Sequence, residues 1–405
     1  MAATGVGAGD LATAAFTGAA VGTGILFAVP LGAALKWLLS EGLARWQLGT
    51  GETLVEGAAR HLGKPFAWAF LLYLLPWTFF VSAALMSACG VAAHAILPIS
   101  DAATDKVVYG ILHGVVGVAL VRIGGYSLFE RVMAVAIAIM FGSVVITAAR
   151  LAPPLGEVLA GFVPRVPPGG QASLEWTIAL LGGVGGTVTL LSYGYWIREE
   201  GRDSEDELGA CRLDLALGYT VTAAFGVAMV LIGSVIEVEG RGAGLIVALG
   251  DRLGDELGPV IRGLFLAGAW GAVASSLLGV WQAVPYLFAD LIDLVREPAR
   301  PVDTRESEAP RRPIRVVDVQ APAYRWVLYA MATLPILGLW LGFSKVQRLY
   351  AIVGALFLPM MSAVLLVLNR PNGPLGRERG NGPATTLGLG LTLAFFVTVF
   401  VLVLI

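Results

Sequence analysis

Thr4-Gly-Val-Gly-Ala-Gly-Asp10-Leu-Ala-Thr13 places three glycines and one carboxylate at the head of a long apolar region. A charge at the bilayer centre costs about 2.5–3.5 kcal/mol even on lenient insertion scales, so an intramembrane Asp marks a working site. Glycines weaken the helix and let backbone carbonyls turn inward, which lipid forbids unless protein or water covers them. A related stretch comes much later, Gly182-Gly183-Val-Gly-Gly186-Thr-Val-Thr189, again inside an apolar span. Two glycine-interrupted spans in matching positions of two halves point to the binding site of a carrier. The plainer reading has small residues only letting helices pack closely. It accounts neither for Asp10 nor for the pairing.

Composition sets the setting of these motifs. The chain of 405 residues is 57% hydrophobic and 14% charged, with a mean hydropathy of +0.78. A soluble protein is about a quarter charged, so this is an integral membrane protein with many spans. A net charge of −2 argues against nucleic acid as a partner. Cys89 and Cys211 are far apart and suggest neither a disulfide nor a metal site, and His61, His94 and His113 form no metal-spaced cluster. No nucleophile–base pair, metal triad or nucleotide loop is visible, so an enzyme is not expected, nor is a cofactor. No basic segment precedes the first apolar stretch, so a cleavable signal peptide is not expected. A full span needs about 20 residues, and only a handful precede Gly5. The true start is therefore expected upstream of Met1.

Reading outward from Asp10, a small-residue helix from Leu11 to Val21 completes the first span, and Gly22 and Gly24 turn it into a second, 25–46. A polar hinge runs from Gln47 to Lys64, followed by spans at 66–97, 107–121 and 132–151. Glu130 and Arg131 read as the cap of the fifth. Pro153 and Pro154 open an external loop to Gly170. Span six, 174–196, holds the second break and ends in the charged collar Arg198-Glu-Glu-Gly-Arg202. Spans seven and eight cover 213–236 and 260–288, and a hydrophilic, arginine-rich loop covers 289–324. Spans nine to eleven close the chain at 326–342, 349–368 and 385–405, giving about eleven in all. Most Lys and Arg fall in the loops after even-numbered spans, which places those loops and the N-terminus in the cytoplasm. Glu41 with Arg45 reads as a structural (i, i+4) pair. Glu199, Glu200, Asp290 and Asp293 read as solvated residues at inner helix ends.

Each break opens a run of five spans, which fits an all-α, five-plus-five inverted repeat of the LeuT type. The units are 1–152 and 173–369, with an extra span at 385–405, in one transmembrane domain covering 1–405. More specifically, Gly7-Ala-Gly-Asp10-Leu-Ala-Thr13-Ala-Ala-Phe-Thr-Gly18-Ala resembles the first-span motif of the NRAMP divalent metal transporters, Asp-Pro-Gly-Asn-Ile-Ala-Thr-Asp followed by Ala-Gly-Ala. The resemblance continues through Leu35-Lys-Trp-Leu-Leu-Ser-Glu41-Gly-Leu-Ala-Arg45, Thr50-Gly-Glu-Thr, Leu151-Ala-Pro-Pro-Leu-Gly-Glu157-Val-Leu, Ser275-Ser276 and Leu358-Pro359. It identifies a divergent branch of that family.

The departures redirect what the resemblance implies. Gly7, Ala8 and Asp10 stand where the family has its first-span Asp, Pro and Asn. The sixth-span Met-Pro-His falls on Gly186-Thr187-Val188, and Phe357 replaces a span-ten glutamine. The third-span proton route falls on Val81-Ser-Ala-Ala-Leu-Met-Ser87, without an acid. Thioether sulfur suits soft and borderline metals, whereas carboxylate, hydroxyl and carbonyl oxygen suit Mg²⁺, Mn²⁺ and Ca²⁺. The expected site is therefore an oxygen site: Asp10, carbonyls around Gly7, Gly185 and Gly186, and hydroxyls of Thr13, Thr187 or Thr189. One carboxylate is too little to strip Mg²⁺ of its waters, so a wet site for a hard cation is expected. The implied function is a monomeric secondary carrier moving divalent metal ions, of the Mn/Fe kind or harder ions such as Mg²⁺, by alternating access. The expected location is a bacterial inner (plasma) membrane. The alternatives are an amino-acid or other organic-solute symporter on the same scaffold, and a transport-inactive sensor.

Overall fold

The computed structural model describes residues 8–165, 170–183, 185–235, 244–296 and 318–404. Gly7 lies outside them, as does the side chain of Asp10. Helix α1 (Ala8–Val21) turns through a short 3-10 segment into α2 (Ala28–Thr50), with a bend of 108° between the two. The turn is held from outside: Phe27 N–H donates to the Gly161 carbonyl, and Thr23 Oγ1 donates to Glu157 Oε1 at 3.0 Å. At 1.5 Å per residue α2 is about 34 Å long, enough to cross the ~30 Å hydrocarbon layer.

The polar hinge that follows folds as a helix of its own, α3 (Leu54–Leu62). Thr53 and Glu56 form a reciprocal capping box, and Leu54, Val55 and Ala58 turn inward. Capping and three buried apolar residues outweigh the polarity that made the stretch read as loop. Next come α4 (Lys64–Ile96) and α5 (Ala102–Leu151). The expected fourth and fifth spans thus belong to one helical element, with no non-helical residue between them. Glu130 and Arg131 fall inside it, so the expected helix start at these residues is absent. The Gly124-Gly125 pair weakens the helix there, but no proline breaks it.

The expected outer loop contains a short helix, α6 (Leu155–Gly161), seated on the turn between α1 and α2. Span six is split into α7 (Gln171–Gly183) and α8 (Ser192–Glu199). The second half continues with α9 (Leu208–Val235), α10 (Gly244–Leu257) and α11 (Pro259–Arg296). Span nine is α12 (Pro322–Thr333) extended by a 3-10 segment. Span ten is α13 (Phe343–Ala355) and α14 (Phe357–Leu368), interrupted at Leu356. A short α15 (Gly376–Arg379) leads to α16 (Pro383–Leu404).

Helices α1 and α9 cross at glycines. A Cβ on Gly18 would strike the Val230 carbonyl, and one on Gly233 would strike that of Ala15. Association in lipid gains little from the hydrophobic effect, so such close backbone contact is what holds the pair.

The connections after spans two, six, eight and ten meet at one end of the bundle. Arg198 pairs with Glu56, Arg379 with Glu205, and Lys64 Nζ donates to the Val295 carbonyl. Glu41 takes both Arg45 and Arg212, while Arg45 also donates to the carbonyls of Arg379 and Gly380 and to Asn381 Oδ1. The local Glu41–Arg45 pair is present, and it is the centre of a buried clamp between three parts of the chain. Asp290 is 1% exposed and accepts from Tyr195 Oη at 2.7 Å and Thr53 Oγ1 at 3.2 Å. This corrects the expectation of a solvated helix end, because α11 runs on past Asp290 and α3 covers it. Glu199, by contrast, is exposed at the last residue of α8, as expected of a helix end, and accepts from Tyr286 Oη at 2.6 Å.

Candidate substrate site at the sixth-span break

The second glycine run opens the chain where the sequence placed it. Helix α7 ends at Gly183, and Gly185 and Gly186 take φ of 80° and 82°. Such left-handed geometry costs an L-residue roughly 1–2 kcal/mol, so glycine belongs there. Thr187 follows with φ −129° and ψ −103°, and a 3-10 turn, Val188–Leu191, restarts the helix. The last carbonyls of α7 are therefore left without helical partners.

Several side chains gather at this opening. Thr13 of α1 lies against Gly183, its Oγ1 3.5 Å from where a Cβ on that glycine would sit. Thr187 is 6% exposed, packs against Gly354 of α13, and its Oγ1 has no hydrogen-bond partner among the described residues. An orphaned buried hydroxyl is uncommon and needs a reason. Gly185 and Gly186 lie beside it, so three expected site residues of the sixth span adjoin one another, with Thr13 nearby. Thr189 sits in the 3-10 turn and is half-buried.

At the first break, the backbone of Asp10 differs from its expectation. Asp10 is not in unwound chain. It stands in the first turn of α1, whose helix begins at Ala8. Alanines around it favour helix, and an acid in a first turn suits the positive end of the helix dipole.

Lys36 is the residue that sequence reasoning passed over. It is 1% exposed, and its Nζ donates to the Gly182 carbonyl at 2.7 Å. Its Cδ lies 3.4 Å from the place of a Cβ on Gly185. One turn along α2, Ser40 Oγ meets Tyr219 Oη at 2.8 Å, and the Tyr219 ring flanks Gly185. The signal was available, since a lysine in mid-span is a functional residue by default.

No group of three His, Cys, Asp or Glu close enough for a metal exists among the described residues. Phe357 is buried, and the third-span stretch 81–87 is buried throughout without an acid. His113 is engaged by Trp270 Nε1 at 2.8 Å and by the Tyr109 carbonyl at 2.7 Å. His94 lies 2.7 Å from Asp105.

Comparison with known proteins decides the family. The model of the Nramp family, described as natural resistance-associated macrophage protein-like, matches residues 1–405. The chain belongs to the Nramp family. This Nramp chain superposes on the manganese transporter of Eremococcus coleocola in complex with an aromatic bis-isothiourea substituted compound. That match has a TM-score of 0.75 and 15% identity, covering 98% of this chain and 82% of that one. It also matches MhsT in complex with L-phenylalanine, at TM-score 0.57 and 16% identity over 99% and 96%. A third match is Mhp1, a nucleobase-cation-symport-1 family transporter, at TM-score 0.53 and 12% identity over 98% and 90%. These likenesses establish the fold: a LeuT-like helical bundle with broken spans. No curated protein matches the chain. Nramp members are membrane transporters, not enzymes.

Proposed function

We propose that this Nramp chain is a secondary carrier of divalent metal ions, working by alternating access, with the ion held in the break of span six. The observation that carries the reading is the opening itself. Two left-handed glycines, the last α7 carbonyls other than that of Gly182, and the Thr187 hydroxyl, which has no partner among the described residues, form a set of neutral oxygens inside a helix that lipid would otherwise keep closed. Gly7 and Asp10 would complete the set from the first span, with Thr13 and Thr189 at its edge. An all-oxygen set favours Mn²⁺, Mg²⁺ or Ca²⁺ over softer ions. With no acid on 81–87, uptake runs without a stoichiometric proton. The protein acts as a monomer in a bacterial inner membrane, with its N-terminus and the 289–324 loop in the cytoplasm.

Calorimetric titration of Mn²⁺, Mg²⁺ and Ca²⁺ into the detergent-purified protein tests the site. Asp10→Asn keeps the size and one carbonyl oxygen but removes the charge. At this depth the lost attraction exceeds the ~0–1 kcal/mol of an exposed ion pair. Wild type binds at least one of the three ions, and the Asn variant folds but loses that binding. Equal affinity in both removes Asp10 from the site.

One observation favours a second reading. A buried lysine at the break puts positive charge where an organic anion could be held, as in an amino-acid symporter on the same fold.

A further inference from the structure

We propose that Lys36 is a tethered counter-cation: its ammonium permanently fills the place at the end of half-helix α7 that a free monovalent ion would otherwise occupy. The geometry is specific. Helix α7 stops at Gly183, and a continuous helix would have used the Gly182 carbonyl internally. Instead that carbonyl accepts from Lys36 Nζ at 2.7 Å. The C-terminus of a helix carries a partial negative charge of about half an electron, which favours a cation beside it. In carriers with discontinuous helices, half-helix C-termini and unwound carbonyls are where a coupling Na⁺ or H⁺ is coordinated. A lysine ammonium is a compact point charge with three donors, the side chain closest to an alkali ion in character.

The stem of Lys36 is fitted to this place. Its Cδ runs beside Gly185, the left-handed glycine that opens the break, and the Tyr219 ring closes the other side of that glycine. Ser40 and Tyr219 join by a hydrogen bond one turn further along α2. The side chain is 1% exposed, so bulk ions do not share the position. Two consequences follow. Transport is indifferent to Na⁺ and K⁺, and the break carries one fixed positive charge against which its cargo is selected. The inference deepens the carrier reading by giving its break a built-in ion, but it does not depend on which substrate moves.

The test uses full-length protein with Lys36→Ala, which empties the position, and Lys36→Met, which fills the stem without the charge. Thermal midpoints in detergent are compared in sodium, ethylammonium and choline chloride at equal ionic strength, alongside Mn²⁺ uptake into liposomes. Wild type is indifferent to the salt. Lys36→Ala is less stable in choline and is restored, with saturation, by sodium or ethylammonium. Its uptake falls about tenfold or more in choline and recovers with the same ions, as loss of one charged hydrogen bond implies. Lys36→Met folds, stays impaired and is rescued by neither. The proposal is overturned if Lys36→Ala fails to fold or responds equally in all three salts, if wild type itself needs sodium, or if Lys36→Met behaves as wild type. Absent Mn²⁺ uptake by wild type strikes the carrier reading alone, because the stability comparison still decides on Lys36.

Discussion

Thr187 separates a structural residue from a binding one by a single substitution. Its hydroxyl is buried without a partner among the described residues, so Thr187→Val removes a polar atom whose burial brings the fold nothing. A purely structural threonine would leave stability the same or improved and ion binding untouched. The expected outcome is an unchanged or raised thermal midpoint together with weaker Mn²⁺ or Mg²⁺ binding, read by melting and calorimetry on one preparation. Residues of this kind were legible because glycines flank them: Gly185 and Gly186 announced the opening that Thr187 faces. The charge of Lys36 in mid-span was a legible signal, but its role was not, because its partner carbonyl lies on a distant helix. Asp10 was placed in unwound chain, because Gly7 and Gly9 before it understate how well the neighbouring alanines carry the helix back to Ala8.

Among the elements, two ion pairs between helices make contrasting cases. Arg198 and Glu56 join α8 to α3 at 2.5 Å, with side chains only 5% and 11% exposed. Arg262 and Asp251 join α11 to α10 with 37% and 54% exposed. Removing one partner of a buried pair leaves a charge in low dielectric and costs about 3–5 kcal/mol, whereas the exposed pair is worth about 0–1 kcal/mol. Arg198→Met therefore lowers the thermal midpoint strongly and Arg262→Met scarcely moves it, a difference that melting curves in detergent resolve. Helix α3 adds a pH dependence. Burial first, then the charges of Arg60 and Arg370, hold the His61 imidazole below its ordinary 6.5, and its ring meets Trp46 edge-on at 5.7 Å. The unfolded chain takes a proton near 6.5 and the folded chain only lower, so the contribution of His61 is full above that value and is lost as pH falls through the window beneath it. His61→Gln flattens the midpoint-against-pH curve on the acid side of 6.5. Neither α3 nor α6 was legible as an element. Each is short and set among glycines or prolines, and each is helical because of what it packs on: α3 over Asp290, α6 over the turn between α1 and α2.

For the molecule as a whole, hydropathy and the paired glycine runs made the LeuT-like class legible. The repeat depends on where apolar runs stop, and membranes make those stops conspicuous. The clamp at one end was not legible, because Glu41, Arg212 and Asn381 meet only after the chain has folded back several times. Most of the site's chemistry was equally out of reach of pattern, since neutral oxygens and a lysine carry no spacing signature. The central claim is that this scaffold moves divalent metal. Its most direct test is purified protein in liposomes, with Mn²⁺, Mg²⁺, Ca²⁺ and a panel of amino acids offered side by side and an internal pH dye present. The account predicts saturable uptake of at least one divalent ion, with no stoichiometric proton entry and no amino-acid uptake. Amino-acid uptake without any divalent flux, or the absence of all flux from a folded preparation, would contradict it.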